Sequence, residues 1–251
     1  MVQNRFSVEG RVACVTGASS GLGRAIATAL AESGARVVGL ARRRDALDAW
    51  RADTAGETAA LPADLSAPFA LADVAAAASE IFGPPNILIN AAGINTRQVA
   101  DEVTPEGWRA TLDLNLSTPF FLAQALVPAM KAAGWGRIVN FASLQTERAF
   151  PGGIAYGASK GGVGQLTRAM AEAWSRHGIT ANALAPGFFP TELTGPVFGD
   201  ARLAERNAAQ TCIGRNGQLD DLVGPALFLC SPASDYVTGQ ILFVDGGFTA
   251  R

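Results

Sequence analysis

Short runs of β-branched and other apolar residues alternate along this chain with longer, alanine-rich stretches. The runs are Val12–Thr16, Arg36–Ala41, Ala59–Ala63, Asn86–Asn90, Arg137–Ala142, Ile179–Leu184 and Ile241–Val244. Apolar residues follow one another within each run, without the in–out alternation of a half-solvated strand. That pattern suits strands covered on both faces, as in a parallel sheet. Between the runs, Gly21–Ser33, Arg43–Ala52, Pro68–Phe82, Trp108–Ala133 and a stretch from Tyr156 to about His177 read as helices. Strand–helix–strand repetition demands right-handed crossovers, so an α/β class is predicted: a doubly wound parallel sheet of about seven strands with helices on both faces.

At 251 residues the chain can bury roughly 70–75% of its unfolded surface, so neither a disulfide nor a metal is needed to hold it. Cys14, Cys212 and Cys230 are odd in number and far apart, and His177 is the single histidine, so no metal is expected. His177 precedes Gly178 and is read as helping to close a helix. A net charge of −2 without a long run of like charges argues against a nucleic-acid partner. The first ten residues lack the apolar core of a leader, and no uninterrupted apolar stretch is long enough to span a bilayer. A cytoplasmic protein with no membrane partner is expected. Charged residues make up 17%, below the usual ~25%, which hints at surface buried between subunits.

The first run leads into Thr16-Gly17-Ala18-Ser19-Ser20-Gly21-Leu22-Gly23, which opens the first helix. Glycines let the backbone approach a pyrophosphate, and a helix N-terminus supplies free N–H groups and a positive dipole end. An acid about 20 residues further on would normally take the ribose 2′-hydroxyl of NAD. Here the second run ends in Ala41, followed by Arg42, Arg43 and Arg44. Guanidinium forks suit a 2′-phosphate, so NADP is expected, with NAD as the alternative.

Tyr156 and Lys160 stand at i, i+4 on one face of a predicted helix. A neighbouring ammonium favours a phenolate, and such a tyrosine can exchange a proton with a carbonyl or an alcohol. Ser143 ends the fifth run, where an open α/β sheet binds its ligands. Asn115 and Pro119 sit awkwardly inside a helical stretch. Asn90-Ala91-Ala92-Gly93 follows the fourth run, and Pro186-Gly187 follows the sixth.

Taken in order, TGxxxGxG, Asn115, Ser143, the Tyr156–Lys160 YxxxK and the segment from Pro186 to Thr191 resemble the short-chain dehydrogenase/reductase family over essentially the whole chain. The resemblance implies one Rossmann-type domain spanning 1–251 and an oxidoreductase of secondary alcohols and ketones. It implies that Tyr156 is the acid/base, that Lys160 lowers its pKa and holds the nicotinamide ribose, and that Ser143 binds the substrate oxygen. Asn115 would hold a relay water, Asp64 and Leu65 would contact the adenine, and Thr191 the carboxamide. Further cofactor contacts are expected at Gly17, Ser19, Ser20, Gly21, Leu22, Gly23, Arg42, Arg43, Asn90, Ala91, Gly93, Pro186, Gly187 and Phe189. Ala91 departs from the family's Asn-Asn-Ala-Gly, at a turn whose contacts are largely through backbone.

Within the family the chain resembles gluconate 5-dehydrogenase-like members, on Ala91–Arg97, Tyr156–Gly162, Ala185–Glu192 and Ser234–Gly239. A sugar acid such as D-gluconate, with its 5-keto form, is the implied substrate. Arg97 or Arg148 could clamp its carboxylate, with Gln145 nearby. Phe150, Phe188, Phe189 and Phe198 support an alternative, a 3-oxoacyl-thioester or other ketone reductase. A non-catalytic NADP sensor is a third possibility, opposed by the intact Ser143, Tyr156 and Lys160. Residues 188–217, rich in glycine and aromatics, read as a substrate lid. Val163, Leu166, Met170, Ala173 and Trp174 form a stripe on the helix after Tyr156, beside Gly161, Gly162 and Gly164. The glycines suggest close approach of another backbone, and the resemblance implies a homotetramer.

Overall fold

The computed structural model describes residues 5–67 and 70–251. Seven strands, β1 (Val12–Thr16), β2 (Arg36–Ala41), β3 (Thr58–Pro62), β4 (Ile87–Asn90), β5 (Gly136–Phe141), β6 (Ile179–Pro186) and β7 (Ile241–Val244), make one sheet. Their order is β3-β2-β1-β4-β5-β6-β7, and every pairing is parallel. β1, β4, β5 and β6 are buried along their whole length, which is why their sequences lack alternation.

Among the described residues nine α-helices connect and flank the strands: α1 (Gly21–Glu32), α2 (Arg44–Asp53), α3 (Leu71–Phe82), α4 (Pro105–Leu112), α5 (Thr118–Ala133), α6 (Ile154–Trp174), α7 (Gly195–Phe198), α8 (Ala201–Ala209) and α9 (Val223–Cys230). The start expected at Pro68 lies outside the described residues. The stretch expected from Trp108 begins earlier, where Thr104 Oγ1 accepts from Gly107 N at 3.1 Å and Pro105 opens α4. Between α4 and α5 the chain makes a π-helical turn over Asp113–Ser117, centred on the misfit Asn115. α6 ends in a 3-10 turn holding His177, closed by Gly178 at φ 78°.

Each face of the sheet has its own core. Ile26, Leu30 and Trp50 of α1 and α2 join Leu229 of α9 on one side; Leu71, Leu122, Met130 and Met170 of α3, α5 and α6 cover the other. Burying such side chains is worth roughly 1.5–3 kcal/mol each. Gly39 in β2 is required by this packing, because a Cβ there would sit 2.4 Å from the Trp50 ring.

Val163 and Met170 are buried on the chain's own sheet, whereas Ala173 is exposed. Gly162 and Gly164 make room for Leu116 and for Ile241 with Thr146, so their compensation comes from side chains of the same chain.

At the end of the sheet near the start of β5, Arg137 is 1% exposed. It pairs with Asp235, donates to Ser231 O at 3.3 Å and stacks on Trp135, whose ring also carries Arg11 at 3.6 Å. Cys14 and Cys230 are buried and Cys212 is exposed; all three are free thiols. Burial pushes the Cys14 and Cys230 thiols up to about 12. Among the described residues no helix is long and apolar enough to cross a membrane.

Candidate active site

A cavity of about 1140 Å³ opens across the C-terminal ends of the strands, on the side where the chain order reverses between β1 and β4. The glycine turn forms one wall. Gly17 has φ 73°, and Gly23 packs so tightly that a Cβ would lie 2.5 Å from Gly17 O. Ser20 precedes α1 without capping it through its side chain, so no such cap consumes the N–H groups at the start of α1. These are the donors that a pyrophosphate requires. Ser19, Ser20, Leu22, Ala41, Arg42 and Arg43 continue the lining, with Asp64 and Leu65 opposite. Hydrogen bonding from Ser66, aided by the charge of Arg42, holds the Asp64 carboxyl below its usual value.

Thr16 ties the glycine turn to the loop after β4. Its hydroxyl donates to Ile89 O at 3.3 Å and accepts from Ala91 N and Ala92 N, each at 3.0 Å. Backbone contacts therefore fix this loop, and the exchange to Ala91 is accommodated. Asn90 itself does not line the cavity. Its Nδ2 donates to Asn140 Oδ1 at 2.9 Å inside the sheet, and Asn140 Nδ2 donates to Thr167 Oγ1 of α6 at 3.0 Å.

Asn115 is 1% exposed and also lies behind the cavity wall. The π-turn aims its side chain at the loop after β4: Nδ2 donates to Ile94 O at 2.9 Å and to Ser159 Oγ at 3.1 Å, while Oδ1 accepts from Ile94 N at 2.9 Å. Ser159 Oγ in turn donates to Tyr156 O at 2.7 Å. One side chain thus joins α6 to the cavity loop. A Cβ on Gly93 would sit 3.1 Å from Asn115 Oδ1, so glycine clears the way.

Ser143, Tyr156 and Lys160 line the cavity together. Ser143 Oγ accepts from Gln145 N at 3.1 Å, which fixes the hydroxyl beyond the end of β5. Lys160 is 4% exposed; its Nζ donates to Phe141 O at 2.6 Å and lies 5.5 Å from the Tyr156 ring centroid. Burial pushes its ammonium down to about 8. Burial also raises the Tyr156 phenol above its ordinary value, and the Ser143 hydroxyl and the charge of Arg97 draw it back.

Arg97 and Gln145 line the cavity as expected. Arg97 is held at φ 53°, with Nη2 donating to Leu193 O at 2.6 Å. Arg148 does not line the cavity, whereas the sequence reading offered it as a carboxylate clamp. Reciprocal capping between Ser143 and Thr146 makes a 3-10 turn, and Arg148 then donates to Thr249 O and Arg251 O. Pro186 at the end of β6 and Gly187, Phe189 and Thr191 after it lie on the cavity wall. Phe150, Phe188 and Phe248 pack on one another at 5.7–6.2 Å between centroids; Phe198 stays out of the lining. Sequence reasoning missed Leu203, Arg206 and Asn207 of α8 and Gln210 just after it, which line the cavity along one face. Their i, i+3, i+4, i+7 spacing was the available signal.

A family model described as enoyl-(acyl carrier protein) reductase matches residues 17–249. The chain is 42% identical to gluconate 5-dehydrogenase of Gluconobacter oxydans (strain 621H) over 249 residues, 97% of this chain and 96% of that one. It is 39% identical to 2-dehydro-3-deoxy-D-gluconate 5-dehydrogenase of Bacillus subtilis (strain 168), over 100% of this chain and 99% of the relative. Among solved structures it resembles a gluconate 5-dehydrogenase from Burkholderia cenocepacia J2315 in complex with NADP and tartrate. That likeness has a TM-score of 0.91 at 39% identity, over 99% of this chain and 98% of the other.

Proposed function

Because the chain belongs to the short-chain dehydrogenase/reductase family and is an NAD(P)-dependent oxidoreductase of CH–OH groups, we propose that it uses NADP to interconvert a sugar acid and its keto form. D-gluconate and 5-keto-D-gluconate are the pair of choice. The observation that carries this reading is one cavity holding Ser143, Tyr156 and Lys160 beside two cations, Arg97 and Arg206, and the amides of Gln145, Asn207 and Gln210. Cations suit a carboxylate, and the amides suit several hydroxyls.

The glycine turn, the start of α1, Arg42 and Arg43 fit NADP, since a pyrophosphate and a 2′-phosphate need such donors. When bound, NADP(H) supplies the hydride chemistry. Ser143 and Tyr156 hold the substrate oxygen, and Tyr156 gives its proton to that oxygen in reduction. A phenol raised by burial stays protonated at neutral pH, which suits it as a donor. Oxidation needs the phenolate, which Arg97 and Lys160 favour by their charge. Lys160 would hold the nicotinamide ribose, and Asn115 keeps the loop after β4 in place. Residues 188–217 serve as the lid over this site.

A second reading, reduction of a 3-oxoacyl thioester, is favoured by the apolar lining from Phe150, Phe188, Val197 and Leu203. The purified protein should oxidise NADPH faster with 5-keto-D-gluconate than with an acetoacetyl thioester, and faster than with NADH as the donor. Turnover of the thioester alone would replace the first reading by the second. Tyr156→Phe should lose at least about 100-fold in turnover while still binding NADPH.

A further inference from the structure

The two rims of the cavity meet at one ion pair. Arg43 Nη2 donates to both carboxylate oxygens of Glu192, at 2.9 and 3.0 Å, and reaches Ser20 Oγ at 3.1 Å and Ser19 Oγ at 3.5 Å. The serines belong to the glycine turn, whereas Glu192 belongs to the segment after β6. One guanidinium with two hydroxyls around an anion is the donor set of a phosphate cradle. A carboxylate of the chain itself therefore engages the donors that a ribose 2′-phosphate would use. Arg42 also lines the cavity, but makes no short ion pair among the described residues.

We infer that Glu192 is an internal competitor for the 2′-phosphate and sets how strongly the chain prefers NADP over NAD. The inference rests on the cofactor reading above and names a residue that tunes it. A 2′-phosphate must take Arg43 from Glu192 or share it against a like charge. NAD, with a hydroxyl in that position, leaves the pair intact. The Arg43 and Glu192 side chains are 54% and 64% exposed, so water screens the pair and the competition is modest.

The test is direct titration of NADPH and NADH by nicotinamide fluorescence, which requires no substrate. Glu192→Gln should bind NADPH about two- to five-fold more tightly, with NADH unchanged. In an Arg43→Ala background the same substitution should have no effect on NADPH, since its mediator is gone. Unchanged or weaker NADPH binding by Glu192→Gln would overturn the inference, as would an equal gain for both nucleotides or a gain that survives Arg43→Ala. Glu192→Ala provides a second variant without the carboxylate and should repeat the result. A parent chain that binds neither nucleotide would instead overturn the cofactor reading beneath it.

Discussion

Folding takes the Lys160 ammonium out of water, and its pKa falls from 10.5 to about 8. The folded chain therefore holds that proton less tightly than the unfolded chain does. The stability contribution is present above pH 10.5 and is lost as the pH falls through about 8. Lys160→Met should accordingly raise the unfolding free energy at pH 7, read from urea melts, by at most about 3 kcal/mol. That advantage should shrink between pH 8 and 10.5, while activity is lost. Equal melts at pH 7 would dismiss the cost of the buried charge. At Tyr156 the sign follows the proton. Ketone reduction should hold through neutral pH and decline as the raised phenol ionises; alcohol oxidation should climb over the same range. Initial rates in both directions across a pH series check this.

Among the elements, α8 bears most on substrate. Arg206→Ala should raise the KM for the keto acid about ten-fold or more, as expected for a lost charged hydrogen bond, with NADPH affinity intact. Arg148→Ala should leave that KM unchanged, because its guanidinium serves the backbone of Thr249 and Arg251. The contrast shows what the sequence could carry. Strands covered on both faces announce themselves as unbroken apolar runs, and Tyr156 with Lys160 sits on a regular helix whose geometry is fixed by spacing. Asn115 and Pro119 were visible as misfits, although the π-turn that reconciles them depends on Ile94 and Ser159. Leu203 to Gln210 looks like an ordinary solvated face until the cavity lies beneath it. Where Arg148 points depends on the turn just upstream of it, which its sequence position does not display. Arg43 and Glu192 are 149 residues apart, and only the closed fold brings them together.

For the whole molecule, a homotetramer remains our proposal. β7 is an edge strand whose Leu242 is 39% exposed, and Phe121 on α5 is 42% exposed; apolar surface on an edge invites a partner. Light scattering should return about four times 25.9 kDa, and a monomer mass would overturn the proposal. The thiols offer a way to watch this molecule work. Two of the three are sealed and held protonated, and only a thiolate attacks an alkylating dye. A maleimide fluorophore should therefore report from one place, the exposed Cys212, whose sulfur donates to Gly247 O at 3.3 Å. The native chain thus carries its own labelling handle, and a fluorophore could be placed on it without engineering a single cysteine.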